Sequence, residues 1–171
     1  WGRQSYRWSD LDFEANKKDG YGVDWPIRYA DLEEWYDYVE EYVGISGSSE
    51  SLPHLPDGVF LPAIPMNAIE KHLKESVSKQ YSDRLIINGR VANLTEYKEG
   101  RGQCKFRNLC SRGCPFSGYF NSNSSTLLDA YNSGNLTLRE HSIVKEVIYN
   151  EISKIVDELT LVKKDFKIYL N

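Results

Sequence analysis

The chain predicts an α+β fold, with several helices, a small and mostly antiparallel sheet, and long connecting loops. Three observations carry that expectation. The stretch DLEEWYDYVEEYVG repeats its apolar residues at helical spacing. NLTLREHSIVKEVIYN alternates apolar and polar residues as strands do. Elsewhere, stretches rich in Ser, Gly and Pro interrupt both periods. With 171 residues, 40% hydrophobic and 13% aromatic, the chain can bury a core without disulfide staples and is too apolar to stay disordered.

Residues 1–28 mix aromatic and charged side chains without sustained periodicity, and Gly20, Gly22 and Trp25-Pro26 read as loop and turn. A helix is then expected, because Leu32, Trp35, Tyr36, Val39, Tyr42 and Val43 fall at offsets 0, 3, 4, 7, 10 and 11. Asp31 or a neighbour caps its start, and Gly44 can stop it. Glu33, Glu34, Glu40 and Glu41 read as its solvated face, not as paired catalytic carboxylates. ISGSSESLPHLPDG reads as a linker-like surface segment. PMNAIEKHLKESVSKQY reads as a second helix, with Pro65 near its first turn and Ile69, Leu73 and Val77 as its seam. Residues 85–87 are strand-like, and Asn88-Gly89 is a hairpin turn signal. SSTLLDAYNSG predicts a short helix ended by Gly134, and NLTLREHSIVKEVIYN two consecutive strands. The last residues, 151–171, read as an amphipathic helix leading into a strand, although period alone leaves that reading open.

The net charge of −4, with basic residues scattered, argues against a nucleic-acid partner. No apolar run approaches the roughly 20 residues of a membrane span, and no signal-peptide pattern opens the chain. The first residue is Trp1, which leads to the expectation that the chain starts inside a longer protein. Twelve tyrosines and four tryptophans suit either a sugar-stacking surface or a core and domain interface. Three tripeptides, beginning at Asn93, Asn123 and Asn135, match the glycosylation acceptor, a pattern that arises often by chance.

All three cysteines, Cys104, Cys110 and Cys114, lie within eleven residues in a C-x5-C-x3-C spacing followed by Pro115. They admit a structural reading, as buried thiols or one disulfide plus a spare. Their neighbours, however, are Gln103, Lys105, Arg107, Asn108, Ser111 and Arg112, which make a polar loop. Soft ligands clustered in one flexible loop suit a metal, and the cationic neighbours would offset the charge of thiolate ligands. Zinc usually takes a fourth ligand and no histidine is close in sequence, whereas a three-iron cluster needs only three cysteines. On residues alone, the iron–sulfur and structural readings stand level.

Three stretches resemble the middle of the glucose–methanol–choline oxidoreductases, in the largely bacterial branch of gluconate and FAD-dependent glucose dehydrogenases. They are WGRQSYRW, DWPIRYADLEEWYDYVEEYVGISG and CKFRNLCSRGCPFSGYFNSNSSTLLDAYNSGNLTLREHSIVKEVIYN. The resemblance covers residues 1–150 as a central, substrate-side segment and leaves 151–171 as a divergent tail. It implies part of an FAD-dependent enzyme oxidising the CH–OH group of a sugar or alcohol. Carried over, Trp1, Gly2 and Val144 approach the flavin cofactor, Ser124 and Ser125 lead toward substrate, and Cys104, Cys110 and Cys114 hold a three-iron cluster. The FAD-binding G-x-G-x-x-G and the catalytic histidine segment of that family are absent from this sequence. His54, His72 and His141 stand outside the catalytic place, so no residue here is assigned a catalytic role. The expectation is a segment inactive alone, partnered by the missing FAD domain and prone to self-association. The competing readings are a non-catalytic interaction or carbohydrate-binding domain and a small metal-binding module.

Overall fold

The computed structural model describes residues 2–150, 155–161 and 167–169, with side chains described as far as Glu146. It comprises two compact units, Trp1–Asp129 and Ala130–Asn171.

In the first unit, two short helices stand where a loop is expected: α1 (Asp10–Phe13) and α2 (Ala15–Asp19). Each is shorter than the two turns over which periodicity becomes visible. Local and tertiary contacts make them instead. The Ser9 N–H donates to Asp12 at 2.7 Å, and Phe13, 1% exposed, meets Trp8 and Trp25 edge-on with centroids 5.8 and 6.1 Å away.

The expected helix forms as α3 (Tyr29–Val43). Asp31 caps it from the third helical position, accepting the Arg28 N–H at 2.8 Å. Gly44 ends it in the left-handed region at φ 78°, with a Leu94 methyl where any Cβ would stand, so glycine is required twice over. Val43 joins Ile45 and Ala92 in the core, flanked by Tyr42, Phe60 and Phe120. Trp35 and Val39 remain exposed, so the apolar stripe is only partly covered. Glu40 overturns its solvated assignment: it is buried at 6% exposure against Arg7.

The start of the expected surface linker is also core. β1 (Ser46–Gly47) pairs in parallel with β2 (Leu61–Pro62), and Ser46 is fully buried. Val91 bridges both Ser46 and Gln4, so three distant segments meet there. The buried Arg90 pins the intervening loop through Asp57 at 2.9 Å and the Pro56 carbonyl at 2.5 Å, its guanidinium 4.6 Å from the Phe60 ring centroid.

α4 (Ala68–Gln80) begins at Asn67, whose side chain accepts from the Ile69 and Glu70 N–H groups at 2.9 and 3.0 Å. Pro65 lies before the helix, and the seam residues Ile69 and Leu73 are exposed in the described chain. The hairpin expected at Asn88-Gly89 does not form. Residues 85–87 are not a strand, and the Asn88 side-chain amide instead donates to the Ile64 carbonyl at 2.5 Å.

α5 (Thr126–Asn132) runs across the division between units, and Gly134 follows it at φ 74° as expected. In the second unit, β3 (Val144–Asn150), β4 (Ile155–Leu161) and β5 (Lys167–Tyr169) form an antiparallel sheet in chain order. Its register pairs Val147 with Leu159 and Leu159 with Ile168. Strand therefore replaces the expected helix over 155–161, and of the two strands expected in residues 135–150 only the later one forms. The fold is α+β and its sheet pairing is mostly antiparallel, as the sequence predicts. No described helix is long and apolar enough to cross a membrane.

Candidate metal centre

The cysteine loop is closed by main-chain bonds at its two ends. The Cys104 N–H donates to the Leu94 carbonyl and the Leu94 N–H to the Gly118 carbonyl, both at 2.8 Å. The Gly102 N–H donates to the Phe116 carbonyl at 2.7 Å. This brings Gly118 so near Cys104 that a Cβ would lie 3.0 Å from both its Cα and N, and only glycine lets the ends close. Phe106, Asn108 and Ser117 hold positive φ angles of 49°, 55° and 54°. Such backbone costs on the order of 1–3 kcal/mol per residue and persists where its surroundings over-determine it.

Cys104, Cys110 and Cys114 are all among the residues that line a cavity of about 20 Å³, room for about one water, with Phe106, Leu109 and Phe116. All three are half-buried free thiols. Cys114 Sγ accepts the Gly118 N–H at 3.3 Å, and Cys104 Sγ lies 3.9 Å from the Asn93 amide nitrogen. Cys110 opens a 3-10 turn, and its carbonyl accepts the Tyr119 hydroxyl at 3.2 Å. Donor type and N–H···S bonding both suit thiolate ligands of a cluster. Among the described residues, no three His, Cys, Asp or Glu side chains converge as a site for one ion. A cluster spreads its thiolates over separate irons and does not require that convergence.

Cys114 also lines a larger cavity of about 470 Å³ with Arg101, Tyr119, Asn121, Asn123 and Ser124. Ser124 donates its N–H to the Asn121 side chain at 3.2 Å, while Ser125 is buried and its hydroxyl donates to the Asn121 carbonyl at 2.5 Å. Arg101 is buried and donates through Nη2 to the Tyr42 carbonyl at 2.9 Å. The Tyr42 hydroxyl donates to Asp129, and this bond, aided by burial, pushes its pKa up to about 12. Nothing local in the sequence signals Arg101, whose anchor lies 59 residues earlier.

Of the residues expected near a flavin, Gly2 and Val144 are among the described residues. Trp1 lies outside the described residues. Gly2 is exposed at φ 61°, with open space where a Cβ would stand. Val144 heads β3, half exposed and paired with Leu161. Gly2 and Val144 belong to different units. His54, His72 and His141 are all exposed.

No protein-family model matches the chain. Over 126 residues, 71% of its length, the chain is 29% identical to the fructose dehydrogenase large subunit of Gluconobacter japonicus. The aligned region is 23% of that protein, so the chain spans under a quarter of the curated relative it matches. It is distantly similar to a dehydrogenase subunit.

Proposed function

We propose that this chain is the central, substrate-side segment of an FAD-dependent oxidoreductase of the glucose–methanol–choline type, acting on CH–OH groups of sugars or alcohols. Residues 1–150 form that segment and 151–171 a divergent tail. Cys104, Cys110 and Cys114 hold a three-iron cluster, Trp1 and Gly2 approach the flavin ring, and the Val144 backbone approaches the FAD adenine. The observation that supports the reading is the C-x5-C-x3-C loop, whose three cysteines line one small cavity, in a chain distantly similar to a dehydrogenase subunit.

When bound, the flavin supplies hydride acceptance and the cluster one-electron transfer. This chain supplies the surroundings. The Gly118 N–H and the Asn93 amide face two of the sulfurs, where hydrogen bonding favours the thiolate. Lys105, Arg107 and Arg112 offset the negative charge of three thiolates. Phe106, Leu109 and Phe116, all exposed, line the same cavity with apolar surface. The exposed Trp35 and Val39 of α3, and Ile69 and Leu73 of α4, are apolar surface that an FAD-binding portion or a second copy would cover.

Anaerobic purification followed by iron and sulfide determination tests the assignment. About three irons per chain are expected, falling to background in Cys104→Ser and Cys114→Ser variants. Stoichiometric zinc, or iron that survives both substitutions, overturns it.

A further inference from the structure

We infer that the chain pairs with a second copy of itself, the exposed cationic surface of the cysteine loop on one copy packing against the acidic outer face of α3 on the other. Residues 100–128 contain Arg101, Lys105, Arg107 and Arg112 and no acidic residue, in a chain of net charge −4. Lys105, Arg107 and Arg112 are exposed, and among the described residues none of them is in an ion pair. Apolar surface lies beside them. Phe106, 61% exposed, and Leu109 and Phe116, also exposed, line the same small cavity as Lys105 and Arg107. The Arg107 guanidinium stands 5.8 Å from the Phe116 ring centroid. Arginine and aromatic side chains exposed together, without acidic neighbours, have the composition of an interface and not of a solvated loop.

The complementary surface belongs to the same unit. Glu34, Tyr38 and Glu41 fall at i, i+4 and i+7 along α3, so they share the face turned away from buried Glu40 and Val43. Both of these glutamates are exposed, and among the described residues neither is in an ion pair. Tyr38 between them is 64% exposed, and Trp35 at the edge of the face is exposed as well. A row of free carboxylates around an exposed ring matches free guanidinium groups beside exposed rings, through charged pairs and ring–guanidinium stacking. Ile69 and Leu73 of α4 are also exposed, but that helix carries Glu70, Lys71, Lys74 and Glu75, both signs together, and offers no charge of one sign to match. Two copies that exchange the loop–helix contact twice close as a two-fold dimer and leave neither surface bare. The pairing rests on surface charge and exposed rings, and on neither the cluster nor the flavin.

Sedimentation velocity tests the pairing, on the 171-residue chain purified anaerobically with a thiol reductant so that no disulfide joins two copies. At up to about 100 μM protein, association is expected in about 50 mM sodium chloride. It should weaken about tenfold or more in about 500 mM, where charges are screened beyond roughly 4 Å. Arg107→Glu with Arg112→Glu makes both surfaces acidic, and Glu34→Lys with Glu41→Lys makes both basic. Each variant alone should stay monomeric where the parent associates. Mixed in equal amounts they should associate again, because every loop then meets a helix face of opposite sign. All four positions are exposed, so the variants should keep the circular dichroism of the parent. The Glu34 and Glu41 variant, outside the cysteine loop, still tests the contact if the loop variant does not fold. A monomer in low salt overturns the inference, as does a mixture of folded variants that stays monomeric. Association that ignores salt also overturns it and moves the contact to the apolar residues of α4. None of these results bears on iron content, so the cluster assignment stands or falls by its own measurement.

Discussion

Removing one member of the Arg7–Glu40 pair should be far more damaging than removing both. Glu40 accepts three hydrogen bonds, from Arg7 Nε at 3.0 Å, Arg7 Nη2 at 2.5 Å and the Val59 N–H at 3.0 Å. Arg7 retains Tyr29 at 2.8 Å and Asp37 at 2.5 Å if Glu40 is lost, but Asp37 is 45% exposed and a weaker counter-charge. Glu40→Met therefore strands a buried guanidinium and should cost about 3–5 kcal/mol, and Arg7→Met strands a carboxylate at similar cost. The double variant buries two thioethers and no uncompensated charge, so it should lie within about 2 kcal/mol of the parent. The coupling is thus about 4 kcal/mol or more, a large part of a domain stability of about 5–15 kcal/mol. Burial lowers the Arg7 pKa, but its bonds to Glu40, Asp37 and Tyr29 outweigh that and raise it above the ordinary arginine value. The resulting stability is fully present below that ordinary value, so the cycle should read the same from pH 6 to 9. Urea unfolding gives the midpoints and slopes. A double variant that loses the sum of the two single losses would refute the reasoning.

Two further outcomes follow from the loop and its neighbour. Gly118→Ala places a methyl 3.0 Å from the Cys104 backbone, which cannot yield as a side-chain tip would, and should cost about 1–3 kcal/mol in urea unfolding while lowering iron uptake; unchanged stability and iron content would contradict the close approach. Absorbance titration should show one tyrosinate forming near pH 12, absent from Tyr42→Phe, because the Asp129 bond favours the neutral hydroxyl. Its folded pKa is raised, so its contribution to stability is present below pH 10 and is lost as pH climbs through about 12.

What the sequence revealed follows the range of the forces involved. α3 and α4 were legible because their apolar spacing and terminal signals lie within a few residues of one another. The closeness of the three cysteines in sequence was equally plain, and all three line one small cavity. Glu40 looked solvated because its partner lies 33 residues away, and helical spacing cannot report a distant cation. The linker containing Ser46 looked external because its composition matches surface loops, yet Leu61 and Val91 pair with it from both sides. Asn88-Gly89 carried a turn signal, but the Asn88 amide and the bridges at Val91 outcompeted the local hairpin. Residues 155–161 became strand through pairing with β3 and β5, a preference that depends on partners more than on intrinsic propensity.

Arg7 also links segments that lie far apart in sequence. Its guanidinium bonds to Tyr29 at the head of α3 and to Asp37 and Glu40 further along, and Glu40 takes the Val59 N–H from a separate loop. Slow amide exchange in the N-terminal strip, the helix and residue 59 would then share one opening event, because fraying at any of them exposes the same charge to be rehydrated. Local breathing is thereby converted into a concerted step, and the weakest of the three segments inherits the persistence of the strongest.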